Sequence, residues 1–244
     1  MSTASLRMRG GDTVSPDQRA DFDAKIAQRG AFQPVSQIIG MREFWGREFI
    51  VTPDVLDPRP DTETLIEAAL ALPAPKRILD LGLGTGCILF TLLAQWHDAS
   101  GVGIDISPDA LAVARRNADA LNVAQRADLR LGDWFENIDE KFDMIVSNPP
   151  YITATEMAEL SRDVADWEPH VALTPGGDGL DAYRIIAAGA GAHLCAGGDL
   201  LLEIGWQQAE SVSSLLKQHN WTDLQILRDL GGNTRVISAK SPKF

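Results

Sequence analysis

Residues 77–86 read R-I-L-D-L-G-L-G-T-G, and this stretch decides the fold class. The apolar run from Arg77 ends at Gly82, as a short buried strand does, and apolar residues at helical spacing follow Gly86. A glycine-rich turn between a strand and a helix lets the backbone bend sharply and approach a ligand, while the helix start offers free N–H groups. The stretch therefore predicts a strand, a ligand-binding turn and a helix.

Strand and helix patterns keep alternating to the end of the chain. Further strands are predicted at residues 101–106, 127–132, 142–147, 199–205, 222–229 and 233–240. One helix begins at Pro108 with Ser107 as its N-cap, and two more are predicted at 180–194, ended by Gly197 and Gly198, and at 207–219. This alternation predicts an α/β fold with a seven-stranded mixed sheet, mostly parallel, helices on both faces and an antiparallel hairpin at one edge.

A smaller N-terminal part precedes this region. A helix is predicted from Ser15 as N-cap and Pro16 as first helical residue to a stop at Gly30. A β-hairpin is predicted over residues 43–52, around Gly46 and Arg47. We therefore divide the chain into a helical segment at 1–40, a hairpin linker at 41–57 and a main domain at 58–244.

The composition excludes several classes of protein. The 244 residues are 45% hydrophobic and 23% charged, as in a soluble globular protein. No apolar run reaches the roughly 18 residues of a membrane span, and the N-terminus lacks the apolar core of a signal peptide. We therefore expect a cytoplasmic protein, monomeric by default. A net charge of −12 makes direct nucleic-acid binding a poor expectation, with the Arg115-Arg116 pair read as a solvated helix face.

The two cysteines indicate neither a disulfide nor a metal site. Cys87 and Cys195 both stand in apolar segments read as helical, without a C-x-x-C spacing or a neighbouring histidine. Buried free thiols are the plainer expectation. With four histidines scattered along the chain, we expect no metal.

An acid at the end of the second strand of the sheet indicates a nucleotide-like ligand. Asp105 lies 19 residues after Gly86, where an acid accepts hydrogen bonds from ribose hydroxyls in nucleotide-binding α/β folds. The turn reads G-x-G-x-G rather than the dinucleotide pattern, and Asp80 would repel a pyrophosphate. S-adenosylmethionine carries an ammonium group and a ribose, so it is favoured over a nicotinamide cofactor or a purely structural turn.

The adenine of this cofactor is expected after the third strand. There Asp133 can accept from the adenine amino group, and an aromatic ring such as Trp134 can cover the base. The alternative is a loop with Trp134 buried in the core. The candidate cofactor-binding residues are Asp80, Gly82, Leu83, Gly84, Thr85, Gly86, Asp105, Asp133, Trp134 and Asn148.

A stiff segment, S-N-P-P-Y at residues 147–151, ends the fourth strand. Two prolines exclude both a helix and a central-strand ladder, and the carboxyl ends of parallel strands share one crevice. The Asn148 side-chain oxygen and a freed backbone carbonyl can accept both N–H bonds of a planar NH₂ group, on which Tyr151 can stack. This geometry predicts in-line methyl transfer to an amide or an exocyclic amine without a strong base, with Asn148, Pro149 and Tyr151 as catalytic residues. An ordinary proline turn is the alternative.

With these motifs the chain resembles the bacterial release-factor glutamine N5-methyltransferase family. The resemblance covers roughly Pro34 to the C-terminus. Besides the glycine turn and N-P-P-Y it includes E-F-W-G-R-E-F (43–49), P-R-P-D-T-E (58–63), W-E-P-H-V-A-L (167–173) followed by G-G-D-G-L, and L-L-L-E-I-G-W-Q-Q (200–208). N-P-P-Y alone also occurs in adenine-N6 DNA and guanine-N2 ribosomal RNA methyltransferases. The P-R-P-D-T-E and W-E-P segments are what point to the protein-glutamine branch.

The resemblance implies a class I, Rossmann-like, S-adenosylmethionine-dependent methyltransferase domain at 58–244. The implied reaction is methylation of the glutamine side chain in the Gly-Gly-Gln loop of peptide chain release factors, which would be the protein partners. By motif, Gly82, Gly84, Gly86, Asp105 and Trp134 hold the cofactor. The implied substrate-binding residues are Asn148, Pro149, Pro150, Tyr151 and, at the entrance, Arg59 with Asp61, Thr62 and Glu63. A helix N-terminus capped by Asp61 is the alternative for that last group.

The chain departs from the family pattern at two places. Only about 33 residues precede Pro34, where the family usually carries several helices that help to contact the release factor. Asp57 stands where the family generally has an apolar residue. Two other functions stay open: an exocyclic-amine methyltransferase acting on adenine or guanine, and a cofactor-binding module without turnover.

Overall fold

The N-terminal helix is defined by its capping residues. The computed structural model, which describes residue 8 and residues 11–241, places helix α1 at Pro16–Gly30. The Ser15 hydroxyl accepts from the Gln18 N–H at 3.2 Å, and the Gln18 side chain accepts from the Ser15 N–H at 3.0 Å. This reciprocal capping box satisfies two otherwise free donors. The predicted N-cap and first helical residue are confirmed, whereas Gly30 is the last helical residue and Ala31 is the C-cap. The remaining residues of the predicted segments 1–40 and 58–244, namely 1–7, 9–10 and 242–244, lie outside the described residues.

The turn of the hairpin lies one residue before its predicted position. A short helix, α2 (Val35–Ile39), precedes strands β1 (Met41–Phe44) and β2 (Arg47–Ile50), which pair only with each other. Phe44 pairs with Arg47, so Trp45 and Gly46 form the two-residue turn, with φ values of 50° and 68°. Two consecutive positive φ angles match the right-handed twist of paired strands. The prediction of a turn at Gly46 and Arg47 was wrong because Trp45 adopts a conformation unusual for a large side chain.

The main sheet has seven strands among the described residues, as the sequence predicts. In chain order they are β3 (Arg77–Leu81), β4 (Ser100–Asp105), β5 (Ala127–Leu131), β6 (Phe142–Ser147), β7 (Leu194–Glu203), β8 (Thr222–Arg228) and β9 (Thr234–Lys240). Their spatial order is β5-β4-β3-β6-β7-β9-β8. The first five are parallel, whereas β9 is antiparallel to both β7 and β8. The predicted antiparallel hairpin at the sheet edge is confirmed.

Helices cover both faces of this sheet. The helices that follow β2 are α3 (Glu63–Leu70), which follows a 3₁₀ turn at Pro60–Thr62, α4 (Cys87–Gln95), α5 (Pro108–Ala120), α6 (Arg162–Ala165), α7 (His170–Leu173), α8 (Asp181–His193) and α9 (Ala209–Gln218). Residues of α3, α4 and α5 form one apolar core with the first face, and residues of α8 and α9 form a second core with the other. Gly101 and Gly103 on β4 let side chains of the first layer approach closely, because a Cβ there would lie 2.4 Å from Leu89 and 2.7 Å from Leu83.

The end of helix α8 and the start of β7 differ from the prediction. Gly197 and Gly198 were expected to end the helix, but α8 ends at His193 and β7 begins at Leu194. The two glycines lie inside the strand, at an irregularity of its pairing with β6. Gly197 has a φ of 75°, and a Cβ on Gly198 would lie 3.0 Å from the Asp143 carbonyl oxygen. They therefore permit a bulge rather than a helix stop.

The remaining global expectations concern thiols, metals and membranes. Cys87 and Cys195 are free but only partly buried, and Cys195 lies in β7 rather than in a helix. Burial raises the pKa of the Cys87 thiol to about 12. No cluster of metal-ligating side chains occurs among residues 11–241, and none of the helices described there is long and apolar enough to cross a bilayer.

Asn117 on α5 joins the hairpin to the main domain. It is fully buried, its Oδ1 accepts from the Ile50 N–H at 2.7 Å, and its Nδ2 donates to the carbonyls of Ile50 at 3.2 Å and Thr85 at 2.9 Å. One side chain thus satisfies three backbone groups from strand β2 and the glycine-rich turn. A third, small core of Val51, Val55, Ala110 and Val113 supports the same contact.

We expect Asn117→Ala to lower the free energy of unfolding by about 2–4 kcal/mol, because it leaves backbone groups unpaired in a buried place. Asp119→Ala, an exposed change on the same helix, is the matched control and should stay within about 0.5 kcal/mol of the parent. Urea unfolding followed by circular dichroism measures both. Equal stability of the two variants would contradict the role given to Asn117.

Candidate active site

Strand pairing places the two diagnostic turns side by side. Leu81, the last residue of β3, pairs with Ser147 on β6 and with Ile104 on β4. The Ser147 hydroxyl also donates to the Leu81 carbonyl at 2.6 Å. Gly82 and Asn148 therefore leave neighbouring strands at the same level. This is the point where the strand order changes direction, which is where open α/β sheets bind ligands.

A cavity of about 260 Å³ opens at this edge of the sheet. Seven of the predicted site residues line it: Gly82, Gly84, Asp105, Asp133, Trp134, Asn148 and Pro150. Eight residues that the site prediction did not include also line it: Leu56, Ile104, Ile106, Gly132, Val171, Ala172, Thr174 and Pro175. Ile104 and Ile106 flank Asp105, and residues 171–175 follow the W-E-P motif, so both groups carried a signal in the sequence. Nothing in the sequence pattern indicates Leu56.

Asp105 connects the cavity to the glycine-rich turn. Its Oδ2 accepts from the Gly84 N–H at 2.8 Å, and its Oδ1 accepts from the Ser107 N–H at 2.9 Å. Burial raises the pKa of this carboxyl, and the backbone N–H groups oppose that rise. Each carboxylate oxygen keeps a further lone pair for a ligand hydroxyl, since two oxygens offer about four acceptor sites.

Asp80 is buried behind the cavity rather than in its lining. Its Oδ2 accepts from the Leu89 N–H on α4 at 3.2 Å, while its Oδ1 has no hydrogen-bond partner among the described residues. Burial raises the pKa of Asp80 well above its ordinary value, and the nearby Asp105 adds to the rise. An orphaned acceptor in a buried place is costly unless a ligand or a water pairs with it.

Three predicted cofactor residues serve the turn instead of lining the cavity. Leu83 packs into the core, and the buried Thr85 hydroxyl accepts from the Cys87 N–H at 3.3 Å. Gly86 is the N-cap of α4 with a φ of 79°. A Cβ on Gly86 would lie 2.1 Å from the buried Phe90 ring, so no larger residue fits there.

Trp134 forms a half-buried wall of the cavity. It has a φ of 50° and also contacts the core that α8 and α9 share. The next residue, Phe135, stacks on the His193 ring at 4.9 Å between centroids. Asp133 is exposed beside them, so the loop presents an aromatic ring and a carboxylate together.

The Asn148–Tyr151 segment separates the first cavity from a second one. Asn148 and Pro150 line the first, whereas Tyr151 lines the second, which has a volume of about 510 Å³, and Pro149 is buried. The Leu173 carbonyl accepts from the Tyr151 N–H at 3.2 Å, and the Gln208 side chain donates to the Tyr151 carbonyl at 3.0 Å. Partners from two distant segments thus hold this rigid tetrapeptide in place.

Arg59 lies in an ion pair beside the cavity and does not line it. Its guanidinium donates to Glu168 at 2.6 Å, which joins the P-R-P-D-T-E segment to the W-E-P segment. Burial raises the pKa of Glu168 to about 7, although Arg59 opposes the rise. Asp61 does not cap a helix: it is exposed and pairs with Arg235 on β9 at 3.0 Å.

The structure gives a reason for Asp57, which departs from the family pattern. Its carboxylate is buried, accepts from the Ser36 hydroxyl at 2.8 Å and lies 4.0 Å from the Arg42 guanidinium. Helix α2 and strand β1 therefore both have a polar partner at this position. An apolar residue here would leave the buried Ser36 hydroxyl without its acceptor.

Comparison with known proteins agrees with this geometry. The family model "Methyltransferase small domain" matches residues 55–178, slightly more than half of the chain. A release factor glutamine methyltransferase from Cereibacter sphaeroides is 56% identical over 239 residues, which cover 98% of this chain and 86% of that protein. The chain belongs to this methyltransferase family. Four other proteins with the same name are 40–45% identical.

Solved structures place the family fold among known methyltransferases. A methyltransferase from Pyrococcus furiosus aligns with a TM-score of 0.61 and 15% identity, over 92% of this chain and all of that one. An RNA methyltransferase from Salinibacter ruber, in complex with S-adenosyl-L-homocysteine, aligns with a TM-score of 0.51 and 20% identity, over 78% of this chain and 95% of that one. At such identities the likeness shows the fold, and the predicted Rossmann-like methyltransferase fold is confirmed.

Two glycines of the turn should respond differently to substitution. Gly82 and Gly86 both have positive φ, so alanine at either costs about 1–2 kcal/mol of backbone strain. Only Gly86→Ala also collides with Phe90, and we expect an additional loss of about 1–3 kcal/mol of unfolding free energy. Thermal and urea unfolding of the two variants measure the difference. A Gly82→Ala variant as unstable as Gly86→Ala would show that the collision with Phe90 does not add to the loss of unfolding free energy.

Proposed function

We propose that this chain transfers a methyl group from S-adenosylmethionine to the side-chain amide nitrogen of a glutamine in the Gly-Gly-Gln loop of peptide chain release factors. The observation that carries the proposal is the juxtaposition of Asn148 with the cavity of Gly82, Gly84 and Asp105. The family relationship supports the protein substrate, since its relatives are named for release-factor glutamine methylation.

The cavity suits S-adenosylmethionine by its donor and acceptor set. The titratable side chains that line it, Asp105 and Asp133, are both acids, and the orphaned Asp80 oxygen lies behind it. Carboxylates attract an ammonium group and accept from ribose hydroxyls, whereas they repel a pyrophosphate. Asp105 would hold the ribose, Trp134 would cover the adenine, and the backbone at Gly82 and Gly84 would approach the amino-acid part. When bound, the cofactor supplies an electrophilic methyl group on a sulfonium.

Asn148 and the adjacent backbone would orient the glutamine. The Asn148 Oδ1 and the Pro149 carbonyl can accept both N–H bonds of a planar amide, which aims the nitrogen lone pair towards the cavity. Accepting these bonds also draws electron density onto the nitrogen. No basic side chain is among the residues that line the cavity, and none is needed before transfer, because the proton leaves after the nitrogen becomes cationic. The rigid prolines keep both acceptors aligned before the reaction.

The substrate would reach Asn148 from the side of the second cavity. Tyr151 lines that cavity together with Trp206, whose side chain is 58% exposed, and Gln208. Arg59 would assist indirectly. Its ion pair with Glu168 would hold the W-E-P-H-V-A-L segment, whose Leu173 carbonyl accepts from the Tyr151 N–H. We further propose a monomeric, cytoplasmic enzyme in which residues 58–244 form the catalytic domain, 41–57 the hairpin linker and 1–40 a helical segment.

The direct test is radiolabelled methyl transfer from S-adenosylmethionine to a purified release factor. The matched control is the same factor with alanine in place of the Gly-Gly-Gln glutamine. We expect label on the unmodified factor and none on the control. Label on RNA or DNA but on neither factor would favour the exocyclic-amine alternative, and cofactor binding without any transfer would favour a non-catalytic module.

Two substitutions should separate catalysis from cofactor binding. Asn148→Ala removes an acceptor for the glutamine, so we expect kcat to fall roughly 10²–10³-fold while the Kd for S-adenosylmethionine changes little. Asp105→Ala removes the partner of the Gly84 N–H and of the ribose, so we expect weaker cofactor binding. Steady-state kinetics and calorimetric titration measure the two effects. Near-normal turnover by Asn148→Ala would refute the mechanism.

A further inference from the structure

Glu203, the last residue of β7, is a fully buried carboxylate next to the Asn148–Tyr151 segment. Its Oε2 has no hydrogen-bond partner among the described residues, although the hydroxyls of Thr62 and Tyr151 lie near enough to lower the pKa of the carboxyl. The residue is 1% exposed, so it cannot contact a ligand from solvent. A buried carboxylate with this little compensation is expensive to keep in a fold. It therefore requires an explanation beyond packing.

Thr62 connects this carboxylate to Asn148. The Asn148 Nδ2 donates to the Thr62 Oγ1 at 3.4 Å, a longer and weaker hydrogen bond than is usual. A hydroxyl has one proton, and an ionised carboxylate can only accept. The Thr62 hydroxyl lowers the pKa of Glu203, as a donor to the ionised carboxylate does, so when Glu203 is ionised the Thr62 proton points to it and only the lone pairs of the Thr62 oxygen remain for Asn148. That leaves the Asn148 amide one compatible orientation, with Nδ2 towards Thr62 and Oδ1 away from it.

The orientation of this amide decides what the site can bind. With Oδ1 towards the substrate, Asn148 accepts from a glutamine N–H, whereas a flipped amide would present a second NH₂ group to the first. Two donors facing each other cannot form a hydrogen bond. Glu203 also lies near the Tyr151 hydroxyl. The same carboxylate therefore acts on Tyr151 directly and on Asn148 through Thr62, which are the two ends of N-P-P-Y.

We propose that Glu203 and Thr62 are positioning residues that hold the Asn148 amide with its oxygen towards the substrate nitrogen. This inference rests on the proposed function, because it assigns these residues to the same glutamine site. Neither residue touches the substrate. Their effect is to exclude the flipped amide, which preorganises the acceptor before the glutamine arrives.

The charge state of Glu203 sets the direction of the hydrogen bonds. Burial raises the pKa of Glu203 to about 7, against the opposing effects of the Thr62 hydroxyl and Arg235. Other groups that face it are Asp61 ahead of α3, the hydroxyls of Tyr151 and Tyr183, and the Cys87 thiol on α4. Arg235 is itself paired with Asp61 at 3.0 Å and with Asp229 at 3.3 Å. Below pH 7 a protonated Glu203 can donate to Thr62, whose own proton is then free to turn towards Asn148.

The test uses three variants and one control. Thr62→Val removes the hydroxyl at nearly constant volume, and we expect kcat to fall roughly 10²-fold with an unchanged Kd for S-adenosylmethionine. Thr62→Ser keeps the hydroxyl and should restore kcat to within about threefold of the parent. Glu203→Gln removes the charge and adds donors at nearly constant size, so Thr62 no longer has to donate to this side chain, and we expect a lower kcat without the decline below pH 7 that we expect for the parent. Glu67→Gln, an exposed change on α3, is the control and should change neither kcat nor its pH dependence.

A second measurement keeps the inference testable apart from turnover. The side-chain amide signal of Asn148, observed by ¹⁵N–¹H nuclear magnetic resonance, should titrate with a midpoint near pH 7 in the parent and lose that titration in Glu203→Gln. A parent that methylates no release factor overturns the proposed function, while this titration still decides the inference. Thr62→Val with kcat within twofold of an active parent, or a titration that persists in Glu203→Gln, overturns the inference.

Discussion

The register between the parallel strands β3, β4 and β6 is the constraint on which the site depends. Because Leu81 pairs with both Ile104 and Ser147, the glycine-rich turn, Asp105 and Asn148 emerge at one level of the sheet edge. A shift of any of these strands by one residue would turn its side chains to the opposite face, and on β4 it would remove Gly101 and Gly103 from their close contacts with Leu89 and Leu83. The two apolar cores therefore fix the active-site geometry as well as the stability of the fold.

Buried polar side chains extend this constraint to the loops. Asn117 ties β2 to the glycine-rich turn, Asp105 ties the same turn to the start of α5, and Arg59 and Glu168 join two segments that are 109 residues apart. Each partner would be costly to leave unpaired in a buried place, so these contacts specify positions that loop residues would not otherwise hold. Asp57 and Ser36 do the same for the N-terminal part.

Local patterns predicted most of the fold, and long-range contacts account for what they missed. The starts of α1 and α5 and the presence of seven sheet strands follow from short-range chemistry and were predicted from it, although β7 begins at Leu194 rather than at Asp199. The hairpin turn differs from its predicted position because Trp45 adopts a positive φ. Gly197 and Gly198 lie in a bulge because β7 already pairs with β6 at Leu194, before the two glycines. Of the predicted site, the residues at strand ends line the cavity, whereas Leu83, Thr85 and Gly86 support the turn, a distinction that spacing alone does not contain. Leu56 reaches the cavity only through tertiary packing.

The electrostatics of the site agree with the chemistry better than the overall charge does. A net charge of −12 disfavours nucleic acid in general, but it does not distinguish one cofactor from another. The cavity does, because the acids Asp105 and Asp133 line it and the orphaned Asp80 carboxylate lies behind it. A ligand that brings a cationic group relieves their mutual repulsion, whereas a phosphate-bearing ligand increases it. Asn148 and the adjoining backbone supply neutral acceptors between the two cavities, although the acids Glu156, Glu159 and Asp178 line the second cavity. Neutral acceptors at this point suit a reaction in which an uncharged amide must become the nucleophile without first losing a proton.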